Sequence, residues 1–184
     1  MSEFLSKLAL KFSFLLTFLD WAQRSLRSRV CSSREISNFI RDSGVSKLSP
    51  PNLINSAINR RFIWRQDHSF MGLPLDYAKD PEVFLFDGKD DCDGFAMFAE
   101  YICLEMGFED VSRVMVRSKS GKGHAVCVVL FPDGFKWCLG NWPEIQFPQG
   151  DLKTIGQVIA MKMGGDLDFA IRAKGYSIVE YVAG

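Results

Sequence analysis

The run Lys89-Asp90-Asp91-Cys92-Asp93-Gly94-Phe95-Ala96 sits where a polar loop gives way to a helical pattern. Beyond it Phe95, Phe98, Ala99, Ile102 and Met106 recur at helical spacing and Gly107 is a natural stop, which puts Cys92 in the first turn of a helix. The unsatisfied N–H groups of a helix start favour a thiolate, while the carboxylates of Asp91 and Asp93 oppose it, so the direction of the cysteine's ionisation stays open. Further on, His124 opens an apolar strand, and a histidine within reach of such a thiol would complete an activated nucleophile.

The segments around this helix set the fold class. A strand is expected over 112–117, a loop over 118–123 and a strand over 124–131. Pro132-Asp133-Gly134 then turns the chain into a third strand over 135–139 that continues to Trp142. Asp151 is placed to cap a helix ending at Gly164-Gly165, and 176–182 reads as a last strand. One helix followed by an antiparallel meander is an α+β arrangement. Upstream, 33–42 has helical spacing through Ile36, Phe39 and Ile40 with Gly44 as its stop, and Asn52 is placed to cap a helix after Pro50-Pro51.

Residues 4–27 form an amphipathic helical pattern, with Phe4, Leu5, Leu8, Phe12, Leu15, Leu16, Leu19 and Ala22 on one face. Glu3 in the would-be basic region, Lys11 in the apolar run and the lack of a small-x-small cleavage site argue against a signal peptide. Its apolar face is expected to dock on the core, with a partner groove or a membrane surface as the other openings. The expected organisation is an N-terminal helical segment, 1–48, packed on a domain spanning 49–184 in one globular unit.

Twenty-two basic and twenty-two acidic residues balance, so no overall field draws the chain to nucleic acid, and Arg60, Arg61 and Arg65 lack the aromatic interleaving of a stacking platform. The five cysteines, Cys31, Cys92, Cys103, Cys127 and Cys138, are odd in number and contain no C-x-x-C pair, which favours a reducing, cytoplasmic setting. Cys103, Cys127 and Cys138 lie in apolar periodic segments and read as core residues, and His68 reads as a loop residue.

An acidic-Cys-acidic run opening a helix, the strand start Gly123-His124-Ala125 and a next strand ending at Asn141 together resemble the transglutaminase-like superfamily. The likeness is strongest to its bacterial cysteine-peptidase branch, which includes periplasmic proteases that release biofilm adhesins. Upstream, Asn59-Arg60-Arg61-Phe62, Asp67, and the stretch from Asp76-Tyr77 through Asp80-Pro81 to Phe84-Leu85 are similar to the Asn-x-x-Phe and Asp-x-Trp-x-x-Pro-x-x-Phe-Leu motifs of that branch. The resemblance spans roughly 52–142.

It implies a papain-like fold, a core helix carrying the nucleophile against an antiparallel sheet, with extra N-terminal helices. It also implies acyl transfer on a protein or peptide: Cys92 attacks an amide carbonyl, His124 takes the thiol proton, and an Asx residue orients the imidazole. The Cys92 N–H would be one oxyanion donor, with Trp64 or Gln66 as the second. The branch commonly ends its third strand in Leu-Asp-Asn, whereas this chain reads Leu139-Gly140-Asn141. A two-residue turn at Asp133-Gly134 would set position 124 against 143 and bring Asn141 to the histidine's face, giving the expected Cys92-His124-Asn141 set. A three-residue turn would set 124 against 142 and bring Gly140 there instead.

No cofactor is expected. Related proteases bind calcium with acids beside their cysteine, which makes Asp90, Asp91 and Asp93 the calcium candidates here, although Gly94 stands where the family commonly has another carboxylate. Peptide hydrolysis, glutamine deamidation and transamidation share this chemistry, and a non-catalytic interaction protein on the same fold is the competing class.

Overall fold

The computed structural model describes residues 33–66, 69–70, 73–74, 81–147, 150–175 and 177–184. The amphipathic pattern over 4–27, Cys31, Asp67, His68 and the stretch 75–80 lie outside the described residues.

Helix α1, Ser33–Ser43, ends one residue before Gly44, whose φ of 67° suits a residue without a side chain. Helix α2, Pro51–Arg61, starts one residue earlier than the expected Asn52 cap. Pro51 takes the first helical position, where a missing N–H costs nothing, and no side chain caps the helix. Strand β1, Ile63–Trp64, follows, then the short strands β2, Ser69–Phe70, and β3, Leu73–Pro74. Helix α3, Pro81–Asp87, leads into β4, Lys89–Asp90, and the cysteine-bearing helix α4, Cys92–Glu105.

The carboxy-terminal half is β5, Val111–Ser118, β6, Gly123–Leu130, β7, Lys136–Leu139, β8, Ile145–Phe147, α5, Leu152–Lys162, β9, Leu167–Lys174, and β10, Ser177–Ala183. Asp151 caps α5, its Oδ1 accepting from the Thr154 N–H at 2.8 Å. Six strands form one antiparallel sheet in the order β10-β9-β5-β6-β7-β8.

Each face of this sheet carries a helix, and strand parity separates the two cores. Cys127, Val129 and Leu139 pack with Phe95, Phe98, Ala99 and Ile102 of α4. Val126, Val128 and Cys138 pack with Leu152, Ile155 and Ile159 of α5. Ile36, Phe39 and Val45 belong to the same core as α4, so residues 33–45 of the N-terminal segment are built into that side. Among the described residues no helix is long and apolar enough to cross a membrane.

One buried ion pair ties α4 to the sheet. Glu100 Oε2 accepts from Arg113 Nε at 2.8 Å, Glu100 Oε1 accepts from the Gly175 N–H at 3.0 Å, and the Arg113 guanidinium donates to the Gly175 carbonyl. Both side chains are nearly dry, so removing one partner strands the other's charge. Glu100→Ala is expected to lower the unfolding free energy by about 3–5 kcal/mol, read from urea denaturation, far more than loss of the exposed Arg41–Asp42 pair.

Candidate active site

Helix α4 begins at Cys92, as the sequence pattern requires. Asp91 is its N-cap, with Oδ1 accepting from the Asp93 N–H at 3.2 Å, so a carboxylate closes the helix start immediately before the thiol. Strands β1 and β4 pair in parallel, Trp64 opposite Asp90, and the Arg65 N–H donates to the Asp90 carbonyl at 2.8 Å. Trp64 is thus alongside the residues that precede Cys92, and Gln66 lies one position past the last hydrogen bond of this ladder; both side chains are exposed.

The three acids do converge. Asp90, Asp91 and Asp93 each offer an oxygen, all within 4.8 Å of one another. Their donor type suits a hard cation such as calcium, whose roughly six to eight oxygens are commonly completed by backbone carbonyls and water. A Cβ at position 94 would overlap the buried Asp90 carboxylate, so Asp90 occupies the space that a side chain at 94 would need. Gly94 is therefore matched to Asp90.

His124 is the second residue of β6, opposite Val116, and only 8% exposed. Its ring stacks on Trp142, with centroids 3.6 Å apart and planes 21° from parallel. Burial lowers its pKa from 6.5 to about 4, against an opposing pull from the Asp91 carboxylate. His124 Nε2 is buried and has no hydrogen-bond partner among the described residues.

The hairpin register is the three-residue form, not the one that would seat Asn141 across from the histidine. Cys127 pairs with Leu139 and Leu130 with Lys136, the Phe131 N–H donates to the Phe135 carbonyl at 2.9 Å, and Pro132, Asp133 and Gly134 form the loop. Gly134 has a φ of 81°, the left-handed residue that closes a turn of this length. The pairing ends at Cys127 and Leu139, and beyond it the Trp142 ring lies stacked on His124. Strand β7 also ends at Leu139, short of the expected Trp142, because Gly140 turns out of it with a φ of 156°. The Asn141 Oδ1 is buried and accepts no hydrogen bond among the described residues.

Of the residues that hold this turn, sequence reasoning missed Asn55 and noted Asn59 only as the start of the Asn-x-x-Phe stretch. Asn55 of α2 accepts from the Gly140 N–H at 2.9 Å through Oδ1 and donates to the Trp142 carbonyl at 2.8 Å through Nδ2, while Asn59 Nδ2 donates to the Gly140 carbonyl at 2.8 Å. Asn55 sits on the inward face of a helix, an expensive place for an amide without a partner, and that was the available signal. Cys103, Cys127 and Cys138 are core thiols as expected, with burial pushing Cys138 up to about 12 and Cys127 well above its usual value.

This architecture is similar to that of solved structures of Legionella pneumophila LapG. One shares 18% identity over 77% of this chain and 74% of that chain, with a TM-score of 0.51. An EGTA-treated form shares 17% over 79% and 78%, with a TM-score of 0.50. The fold is the transglutaminase-like, papain-like α+β fold, with the core helix on an antiparallel sheet. No family model matches the chain, and no curated protein matches it in sequence.

The lowered pKa of His124 has a consequence for stability. In the unfolded chain the ring takes up a proton near pH 6.5, in the folded one only near 4, so its contribution is full above 6.5 and is lost as pH falls toward 4. The loss over that window is about 3 kcal/mol. Urea titrations from pH 7 to pH 4 should show it in the wild type, and His124→Gln should flatten that part of the profile.

Proposed function

We propose that this chain is a cysteine-dependent amide hydrolase or acyl transferase acting on protein or peptide substrates, most directly a peptidase, with Cys92 as nucleophile and His124 as base. The observation that carries this is a thiol in the first turn of the core helix α4, directly behind the Asp91 cap, on a transglutaminase-like fold. A buried imidazole at His124, its pKa lowered to about 4 by burial, supports the reading as the proton acceptor.

In the first step Cys92 Sγ attacks the substrate's amide carbon and its proton passes to His124. The oxyanion that forms can be met by the Cys92 N–H, one of the orphan donors of the first turn, with Trp64 or Gln66 as the second donor. His124 then protonates the leaving amine, a thioester remains on Cys92, and water or an amine resolves it. Whether the acceptor is water or an amine separates hydrolysis and deamidation from transamidation. With a pKa near 4 the imidazole is neutral before attack, which favours proton transfer during attack over a standing thiolate–imidazolium pair. A reducing, cytoplasmic setting is part of the proposal, since it keeps the thiol available.

A second reading, an interaction protein that keeps the fold without catalysis, draws its support from Gly140 in place of the family's acid. A thiol-directed activity probe with a peptide-like recognition element separates the two. Labelling of the wild type is expected to vanish in Cys92→Ala and to fall at least tenfold in His124→Ala, the lower range for loss of a general base being about a hundredfold. Equal labelling of all three proteins would sink the proposal.

A further inference from the structure

A histidine ring at the end of a strand can rotate about χ2 unless something fixes its plane, and a hydrogen-bonding acid is the usual device. At His124 no such bond is made to Nε2 among the described residues. What lies against the ring is the face of Trp142. Trp142 belongs to no strand, since β7 ends at Leu139 and β8 begins at Ile145, so no sheet ladder fixes its position.

Helix α2 does that instead. Asn55 and Asn59 are one helical turn apart and so point the same way. Between them they satisfy the N–H and C=O of Gly140 and the C=O of Trp142, at 2.8–2.9 Å. Asn55 Nδ2 also lies 3.5 Å from Glu144 Oε2, which ties the next residues of the turn to the same side chain. Asn55 is 3% exposed, so its bonds are shielded from competition by solvent. Gly140, with its φ of 156°, lets the chain leave β7 at the angle these bonds hold, a conformation that an aspartate at 140 would adopt only under strain.

We infer that Trp142, held by Asn55 and Asn59, is the group that orients His124, fixing by ring stacking the plane that a carboxylate at position 140 would fix by a hydrogen bond. Trp142 touches the base directly, and Asn55 and Asn59 are positioning residues that act through it. The inference rests on His124 being the base, as proposed above, but the tie between α2, Trp142 and the imidazole belongs to the fold whether or not Cys92 reacts.

Proton NMR tests it on the full chain. There are two histidines, so His68→Gln assigns the ring signals. Stacking on an indole moves the His124 ring protons upfield in the wild type. Trp142→Leu and Asn55→Leu should return them to ordinary positions and slow probe labelling of Cys92 about fivefold, a factor in the range of one aromatic pair. Asn55→Asp, which keeps the acceptor for Gly140 and loses the donor to Trp142, and Asn59→Ala should move the signals part of the way. These milder variants decide the matter if Asn55→Leu does not fold. Folded Asn55→Asp and Asn59→Ala proteins with unmoved His124 signals would overturn the clamp. A folded Trp142→Leu protein labelled at the wild-type rate would overturn the orienting role. If the wild type is not labelled at all, the functional proposal fails, while the ring signals still decide the tie.

Discussion

Five phenylalanine rings hold the amino end of α4 where it is. Phe62 stacks on Phe84 with centroids 4.1 Å apart, and both meet Phe98, at 4.8 and 5.3 Å. Phe84 also meets Phe95 at 5.1 Å, and Phe39 meets Phe98 at 5.2 Å. These contacts lock α1, α3, α4 and the residue that ends α2 into one block. Each pair contributes about 0.5–1.5 kcal/mol beyond its buried area, and truncating one such ring costs about 3–5 kcal/mol, so the block outweighs any single polar contact at the site. Because Phe62 leads into β1 and Phe84 lies in α3 just ahead of β4, the same block aligns the two strands that flank the approach to Cys92. The position of the thiol is a consequence of apolar packing several residues away.

The polar half of the site depends on a different constraint. Asn55 and Asn59 project from α2, the helix that Phe62 terminates, so the aromatic block also fixes the donors and acceptors that hold Gly140 and Trp142. Where a carboxylate would need a regular strand to present it, this chain leaves the strand at Gly140 and lays an indole against the imidazole. Dry surroundings keep His124 neutral, and the Asp91 charge only partly offsets that. Gly94 and Asp90 show the same kind of local exchange, one residue giving up the space that the other's carboxylate fills.

Much of this was legible in the residues. The helix start at Cys92 was plain because an acid, a run of apolar residues at helical spacing and a closing glycine agree. The β5–β6–β7 meander was readable from its alternation. The register between β6 and β7 was the decisive unknown, and Pro132-Asp133-Gly134 carried the answer: a proline that starts a turn and a glycine two residues later that takes a positive φ form a three-residue loop. Strand β9 was not legible, since Asp168, Ala170, Ala173 and Lys174 are poor strand formers and are held there by β5 on one side and β10 on the other. Asn55 was hidden because its partners are backbone groups far along the chain, and no local spacing encodes that meeting.

The central claim is that Cys92 performs acyl chemistry on protein amides. The most direct measurement is mass spectrometry of a defined mixture of candidate protein substrates incubated with wild type or with Cys92→Ala. The account predicts new peptide termini, or conversion of glutamine to glutamate or to an amine conjugate, that depend on Cys92. A wild-type protein that labels with thiol probes yet produces no Cys92-dependent change in any substrate would contradict it.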